Sequence, residues 1–352
     1  MTNIVNNKSS LGIIGDMHNR QSLPYSDYVK DNRIPEKQKI LDTIVKSLWS
    51  CDKIIFLGDI FDIKNPDSET IKEFVNFLER FKQPIYIVAG NHEKMADGRT
   101  SLDFLKEIKN KSWHVVTNKI ETINNITFVP YFTKAELGVE TEEEGTKKIM
   151  SQLKGGEILV VHHTISDIMT NSVINTNLFR EIVLPQKELE KKYNLIIGGH
   201  IHKCQMSKTG QTLIAGSIFT HEVGEIEKFV HIISKQLTST PIKLPCREIH
   251  KLEDPTEEDL KKLPKNSIVK VVITKKLSTA DIISLKEVLK DLFSDKGAYL
   301  FIEQVPHERK KLHYSEGESI LEYSIEQLLE IYAKEKKVDI NKLQRGFELI
   351  SK

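Results

Sequence analysis

Short apolar runs separated by amphipathic stretches fill the first two thirds of the chain. Leu11 to Ile14, Lys53 to Leu57 and Ile85 to Ala89 are brief strand-like runs, each followed by glycine and polar residues. Between them Ile40, Leu41, Ile44 and Leu48 recur at helical spacing, and so do Ile71, Phe74, Val75 and Leu78. Strands alternating with amphipathic helices predict βαβ units, hence an α/β domain whose helices cover its sheet. Further strands are expected at Ile126 to Val129, Ile158 to Val161, Leu195 to Ile197, Thr212 to Ala215 and Val230 to Ile233, extending or facing the first sheet.

The pattern changes at Pro241 to Pro264, where prolines and the acidic run Glu257 to Asp259 mark a domain junction. Beyond it, a strand at Ser267 to Thr274, a helix at Thr279 to Phe293 and a strand at Ala298 to Val305 make a small β-α-β cap. The polar stretch His307 to Glu318 reads as a linker. Two short amphipathic helices follow. Ser324 and Gln327 fit a capping box ahead of Ile325, Leu328, Leu329 and Tyr332, and Asp339 precedes Ile340, Leu343, Phe347 and Ile350. The expected division is therefore 1–245, a cap at 246–306, a linker at 307–318 and tail helices at 319–352.

Composition narrows the class. A chain of 352 residues is too long for a single small module, and 39% hydrophobic with 29% charged residues suits a soluble protein with a sizeable core. With 51 Lys+Arg against 50 Asp+Glu there is no global basic field, so contact with a nucleic acid would need a local patch. Cys51, Cys204 and Cys246 are too few and scattered for a disulfide framework, which fits a reducing compartment. No run approaches a membrane span and the polar first ten residues lack a signal core, so the expected location is cytoplasmic.

The chemistry lies in five segments, most of them just after an expected strand. They are Gly15-Asp16-Met17-His18, Gly58-Asp59-Ile60-Phe61-Asp62, Gly90-Asn91-His92-Glu93, His162-His163 and Gly199-His200-Ile201-His202. In an α/β fold the carboxyl ends of neighbouring strands share one edge, so sequence-distant clusters can converge there. Asp, Asn and His without a thiolate suit Mn²⁺, Mg²⁺ or Fe²⁺ held for Lewis-acid work. An Asp-x-His pair on an extended strand end would point both side chains the same way onto one ion. Each piece alone has a plainer reading, as a turn, a helix cap or a strand end. Their conjunction in this order is what points to a metal centre.

The set resembles the calcineurin-like metallophosphoesterase superfamily, whose signature is Asp-x-His, Gly-Asp-x-x-Asp, Gly-Asn-His-Asp/Glu, His and Gly-His-x-His. The resemblance implies an α/β sandwich of two mixed sheets flanked by helices, here with a small α+β cap domain and C-terminal helices. It also implies that Asp16, His18, Asp59 and His202 hold one divalent ion and that Asp59, Asn91, His162 and His200 hold another, with Asp59 bridging. Manganese is the first expectation, magnesium or iron the alternatives. His92 would be the catalytic histidine that protonates or orients the leaving group, and Asp62 or Glu93 is the acid expected to hydrogen-bond it.

Within the superfamily, Gly58 to Asp62 is similar to the Gly-Asp-Leu/Ile-Phe-Asp of the SbcD nucleases, the meiotic-recombination-eleven family. Ile63 stands where phosphoprotein phosphatases carry arginine. Ala215-Gly216-Ser217 and Gly224 to Lys228 resemble that family's Gly-Ser and Gly-Glu-x-x-Lys segments, and the order of domain, cap, linker and tail helices is similar to a phage-type recombination endonuclease subunit. This implies a DNA exo/endonuclease, a homodimer, and docking of the tail on an SbcC-like coiled-coil ATPase in recombination or double-strand-break processing, in a phage-encoded setting within a bacterial host. The rival is a stand-alone phosphodiesterase of nucleotides or small phosphoesters. Asn19 departs from the hydrophobic residue and glycine that follow the histidine in many relatives. Lys187, Lys191, Lys192 and the Arg309, Lys310, Lys311 run are either phosphate contacts or solvated faces, and His163, His221 and Cys204 have no assigned role.

Overall fold

Alternate residues of the central strands are apolar on both sides, so each strand needs cover on both faces. The computed structural model describes residues 10–304 apart from 30, 96, 109–111, 167–180, 226, 265, 275–277, 279, 286 and 288–298. In chain order the first part runs β1 (Leu11–Ile14), α1 (Ile34–Leu48), β2 (Lys53–Phe56), α2 (Ser68–Glu79), β3 (Ile85–Val88), α3 (Phe104–Glu107) and β4 (Trp113–Val116). Then come β5 (Glu121–Ile123), β6 (Ile126–Val129), α4 (Lys134–Leu137), α5 (Glu142–Gln152), β7 (Gly156–Val161), β8 (Thr164–Ile165), β9 (Val183–Leu184), α6 (Gln186–Lys192) and β10 (Tyr193–Gly198). The last part is β11 (Gln205–Met206), β12 (Thr212–Ile214), β13 (Phe229–Ile233), β14 (Ser239–Lys243), β15 (Ile249–Glu253), α7 (Glu257–Lys261), β16 (Ile268–Ile273) and β17 (Tyr299–Gln304).

Two mixed sheets result, in the orders β14-β13-β1-β2-β3-β4 and β11-β12-β10-β7-β6-β5. In the first, β1 to β4 are parallel and β13 and β14 antiparallel; in the second, β6, β7, β10 and β12 are parallel and both edges antiparallel. Strand alternation separates the layers. Ile13, Ile55, Leu57 and Val88 face Phe128, Ile158, Val160 and Ile197 between the sheets. Ile14, Ile54, Phe56 and Ile87 face the opposite way, onto Ile40, Ile44 and Leu48 of α1 and Phe74, Phe77 and Leu78 of α2. On the far side Leu159, Val161 and Ile196 pack with Ile149 and Met150 of α5 and Leu189 of α6. A helix-sheet-sheet-helix sandwich is therefore present, and each fully buried side chain of this kind contributes about 1.5–3 kcal/mol.

The expected strands form, most with ends shifted by a residue or two. Pro241, read as part of a junction, instead lies in β14 opposite His231. Because β14 is an edge strand, the missing N–H costs no ladder bond to a further neighbour. The third sheet is β15-β16-β17, all parallel, one strand more than the β-α-β pattern suggested. Its β15, Ile-His-Lys-Leu-Glu, is too polar to be conspicuous. Residues 280–285 are helical behind a Ser278–Asp281 capping box. The expected linker at 307–318 and the tail helices of 319–352, including Ser324, Tyr332 and Asp339, lie outside the described residues.

Candidate metal centre

The loops after β1, β2, β3, β7 and β10 meet at one rim of the sandwich. Asp16 forms an isolated backbone bridge with Ser217, and the chain then turns sharply: the N–H groups of Met17 and His18 both donate to the Asp59 carbonyl, at 3.0 and 2.8 Å. His18, Asp59 and His200 adopt left-handed backbone, with φ of 45°, 44° and 77°. Asp16 and His18 thus converge through a turn rather than through the simple alternation of an extended strand. Non-glycine residues at positive φ are strained, and such strain persists only where surrounding contacts over-determine it. Gly90 is required by the same crowding, since a Cβ there would lie 2.1 Å from Asp59 Oδ1.

All seven proposed ligand residues come together, in two groups. Asp16, His18 and His202 bring one donor atom each within 4.8 Å of one another, and so do Asp59, His162 and His200. Asn91 Oδ1 completes the second group, 3.1 Å from His162 Nε2 and 3.0 Å from His200 Nδ1. Asp59 Oδ2 reaches both, 3.6 Å from His18 Nε2 and 3.3 Å from His162 Nε2. His92 stands beside them, its ring 4.5 Å from that of His18.

The donor set fits a pair of divalent cations. Asp16 is completely buried, yet neither carboxylate oxygen has a hydrogen-bond partner. A buried carboxylate in that state is costly without a cation. The Nε2 atoms of His18 and His202 face each other at 2.9 Å. His162 Nδ1 lies 2.7 Å from the Leu57 carbonyl, to which it donates, which turns Nε2 toward the oxygens of Asn91 and Asp59. Acceptors gathered around common points, all nitrogen or oxygen, are what Mn²⁺, Mg²⁺ or Fe²⁺ takes.

The protein's own charges respond accordingly. Burial opposes ionisation of Asp59, but the charge and hydrogen bond of His162, then His18 and His92, outweigh it and hold its carboxyl well below the usual carboxylate range. For Asp16 burial wins and the carboxyl is pushed up, with His162 the main offset. Burial would discourage charge on His162, but Asp59 and then Asp16 raise it to about 10. An imidazolium between two carboxylates does here part of what a bound cation would do.

The family model for calcineurin-like phosphoesterases matches residues 9–204, more than half of the chain. The chain belongs to the calcineurin-like phosphoesterase family. Among curated proteins, the DNA double-strand break repair protein Mre11 of Methanococcus maripaludis is 26% identical over 235 residues, covering 57% of this chain and 59% of that protein. The Mre11 of Methanosarcina mazei is 33% identical over 76 residues, 20% of this chain and 12% of that protein. Probable exonuclease subunit 1 of Escherichia phage T5 is 33% identical over 86 residues, 23% of this chain and 26% of that protein. In each case the match spans less than two thirds of the relative's length.

Around this phosphoesterase centre, each of three histidines backs onto a carboxylate that orients its ring. His18 Nδ1 lies 3.4 Å from Asp62 Oδ1, His200 Nε2 3.1 Å from Glu181 Oε2, and His202 Nδ1 3.6 Å from Glu225 Oε1. Glu225 is in turn paired with Lys228 at 3.0 Å. Burial opposes ionisation of Glu225, but His202 and Lys228 hold it at about 2. Glu181 carries no sequence signal; it lies in a stretch of weak pattern and is recognisable only by its contact with His200.

His92 does not pair with a carboxylate, contrary to expectation. Its Nδ1 lies 2.7 Å from the Asp62 backbone carbonyl. Asp62's side chain is taken by His18 and Arg20, while buried Glu93 accepts from the N–H groups of Phe61 and Gly90 at 3.0 and 2.8 Å. Burial and the Asp59 charge push Glu93 up to about 8. His163 is structural: its Nε2 accepts from the Phe132 N–H at 3.1 Å. His221 lines the cavity beside His18 and His202, and Cys204 lies 3.5 Å from His231 Nε2. Lys192 is also structural, donating to the Met150 and Leu153 carbonyls near the end of α5. Arg309, Lys310 and Lys311 lie outside the described residues.

Proposed function

We propose that the protein is a two-metal DNA phosphodiesterase, an SbcD-like exo/endonuclease subunit that uses Mn²⁺ and works with an SbcC-like ATPase in recombination or double-strand-break processing. The observation that carries this reading is Asp59, one oxygen of which approaches both donor groups. A carboxylate so placed would contribute to holding both ions. Asp16, His18 and His202 would hold one ion; Asn91, His162 and His200 would hold the other. Bound there, the ions would supply Lewis acidity to the phosphate and to the attacking water.

The chain's own residues do the rest. Asp62, Glu181 and Glu225 hold the histidine rings in place from behind. His92 donates through Nδ1 to the Asp62 carbonyl, which leaves Nε2 as the atom that would deliver a proton to the departing oxygen as the P–O bond breaks. The name of the Methanococcus relative favours DNA as the substrate, and that of the phage T5 relative favours exonuclease activity. Under this reading 1–245 is the nuclease domain, 246–306 a cap shaping the DNA channel, 307–318 a linker and 319–352 the docking tail. A homodimer through nuclease-domain helices and a cytoplasmic location belong to the same proposal. Among the described residues no helix is long and apolar enough to cross a membrane.

The test is Mn²⁺-dependent hydrolysis of end-labelled linear DNA beside bis-p-nitrophenyl phosphate and a cyclic nucleotide, with and without a coiled-coil ATPase partner. DNA cleavage is the expected result. Turnover of the small esters alone, with the partner present, would replace this reading by a stand-alone phosphodiesterase.

A further inference from the structure

The cavity over the metal centre has a volume of about 570 Å³, and its wall is rich in histidine and carboxylate. Among its described lining residues Arg20 is the one lysine or arginine. Its position is fixed from both sides. The N–H of Asn19 donates to the Ile60 carbonyl at 2.7 Å, and the Arg20 carbonyl accepts from Lys37 Nζ at 2.7 Å, a lysine that also pairs with Glu73. The guanidinium gives Nη1 to Asp62 Oδ2 at 3.1 Å and Nε is buried without a hydrogen-bond partner, while the side chain as a whole stays 42% exposed. A cation held by its backbone on a cavity wall, with part of its guanidinium exposed, is pre-organised for an anion.

The contacts also say which anion it can reach. From Asp59 the path to Arg20 passes through His18 at 3.6 Å, then Asp62 at 3.4 Å, then the guanidinium at 3.1 Å. Only Asp62 separates Arg20 from His18, and it meets the ring at Nδ1, while Nε2 is the nitrogen turned toward Asp59. Arg20 thus lines the cavity beside the donor atoms rather than among them, where a neighbouring phosphate of a polynucleotide would lie.

We propose that Arg20 binds the phosphate flanking the scissile one, and so selects polynucleotides over small phosphodiesters. This rests on the phosphodiesterase reading above. Asp62 orients both the guanidinium and His18, so one carboxylate aligns the flanking-phosphate contact with the metal centre.

The experiment compares the full chain with Arg20→Gln and Arg20→Lys on two probes: a DNA duplex, with affinity measured from about 50 to 200 mM salt, and bis-p-nitrophenyl phosphate turned over with Mn²⁺. One lost phosphate contact should reduce the slope of log affinity against log salt by about 0.9 and weaken low-salt binding by roughly tenfold. Arg20→Lys should keep most of the slope, and both variants should hydrolyse the small ester within about twofold of wild type. An unchanged slope in Arg20→Gln, with wild type active, would overturn the proposal. So would equal loss on both probes, because the guanidinium would then be acting through Asp62 and His18 on the centre itself. A wild type that neither binds DNA nor hydrolyses the ester would instead overturn the phosphodiesterase reading, and the proposal with it.

Discussion

Asp16 offers the sharpest separation between metal binding and folding. It is fully buried, with no hydrogen bond to either oxygen, so the ionised side chain costs stability whenever no cation is present. Its folded carboxyl is pushed up by burial, so this group favours folding at low pH and opposes it as pH rises past the usual carboxylate range. Asp16→Asn removes that charge with little change of shape. An unsatisfied buried polar group costs about 1–3 kcal/mol and a charged one more, so Asn, still without a partner, removes only the excess. The lost attraction to His162, 4.0 Å away, returns part of it, leaving a net gain of about 1 kcal/mol for the metal-free protein. That corresponds to a rise of about 2 °C in Tm.

With Mn²⁺ the sign reverses. Saturation at about 100 times Kd stabilises wild type by about 2.7 kcal/mol per site, and the Asn variant should lose most of this at the Asp16 site. Scanning calorimetry at neutral pH, with a chelator and then with Mn²⁺, reads both effects. The variant should melt at or slightly above wild type in chelator and clearly below it in Mn²⁺. A variant that melts well below wild type in chelator, and that gains as much from Mn²⁺, would refute the argument by showing that Asp16 is held by the fold and not by a cation.

Other predictions follow from neighbouring contacts. His92→Ala should lower diester hydrolysis by about 10²- to 10⁴-fold while Mn²⁺ affinity, read by calorimetric titration, stays as it was; retained turnover would remove His92 from the proton transfer. Glu181→Ala should weaken binding of one Mn²⁺ by about 10- to 100-fold, because His200 loses its orienting carboxylate 3.1 Å away; unchanged affinity would make Glu181 incidental. Buried His231 is pushed down to about 4 by burial. Its neutral form stabilises the fold above the usual histidine range, and that contribution drains away as pH falls from about 6.5 toward 4, by about 3 kcal/mol in all. His231→Asn should flatten the acid limb of Tm against pH across that window, and parallel curves would sink the assignment.

The sandwich was legible where strands are buried on both faces. β1, β2, β3, β6, β7 and β10 read directly, because continuous apolar runs can only be central strands here. α1 and α2 read from their single apolar faces. The edges did not: β4, β5, β11, β14 and β15 are short or partly polar, and their pairing is set by neighbours distant in sequence. The same division holds at the site. Asp16, His18, Asp59, Asn91, His92, His162, His200 and His202 sit in glycine-marked or histidine-rich turns after strands, so local sequence exposes them. Glu181 and Arg20, and the rings that Asp62 and Glu181 support, depend on contacts between loops separated in sequence. The spacing of Asp62 and Glu93 suggested acids for His92, yet His18 and two backbone amides claim them instead.

The proposed function turns on two ions sharing Asp59 and on cleavage of DNA. Electron paramagnetic resonance during Mn²⁺ titration, run beside cleavage of end-labelled DNA, tests it most directly. Two ions per chain are expected, with an exchange-coupled signal that grows with nuclease activity, and loss of both in Asp59→Asn. Full DNA cleavage at one uncoupled ion per chain, or a coupled pair that survives Asp59→Asn, would contradict it.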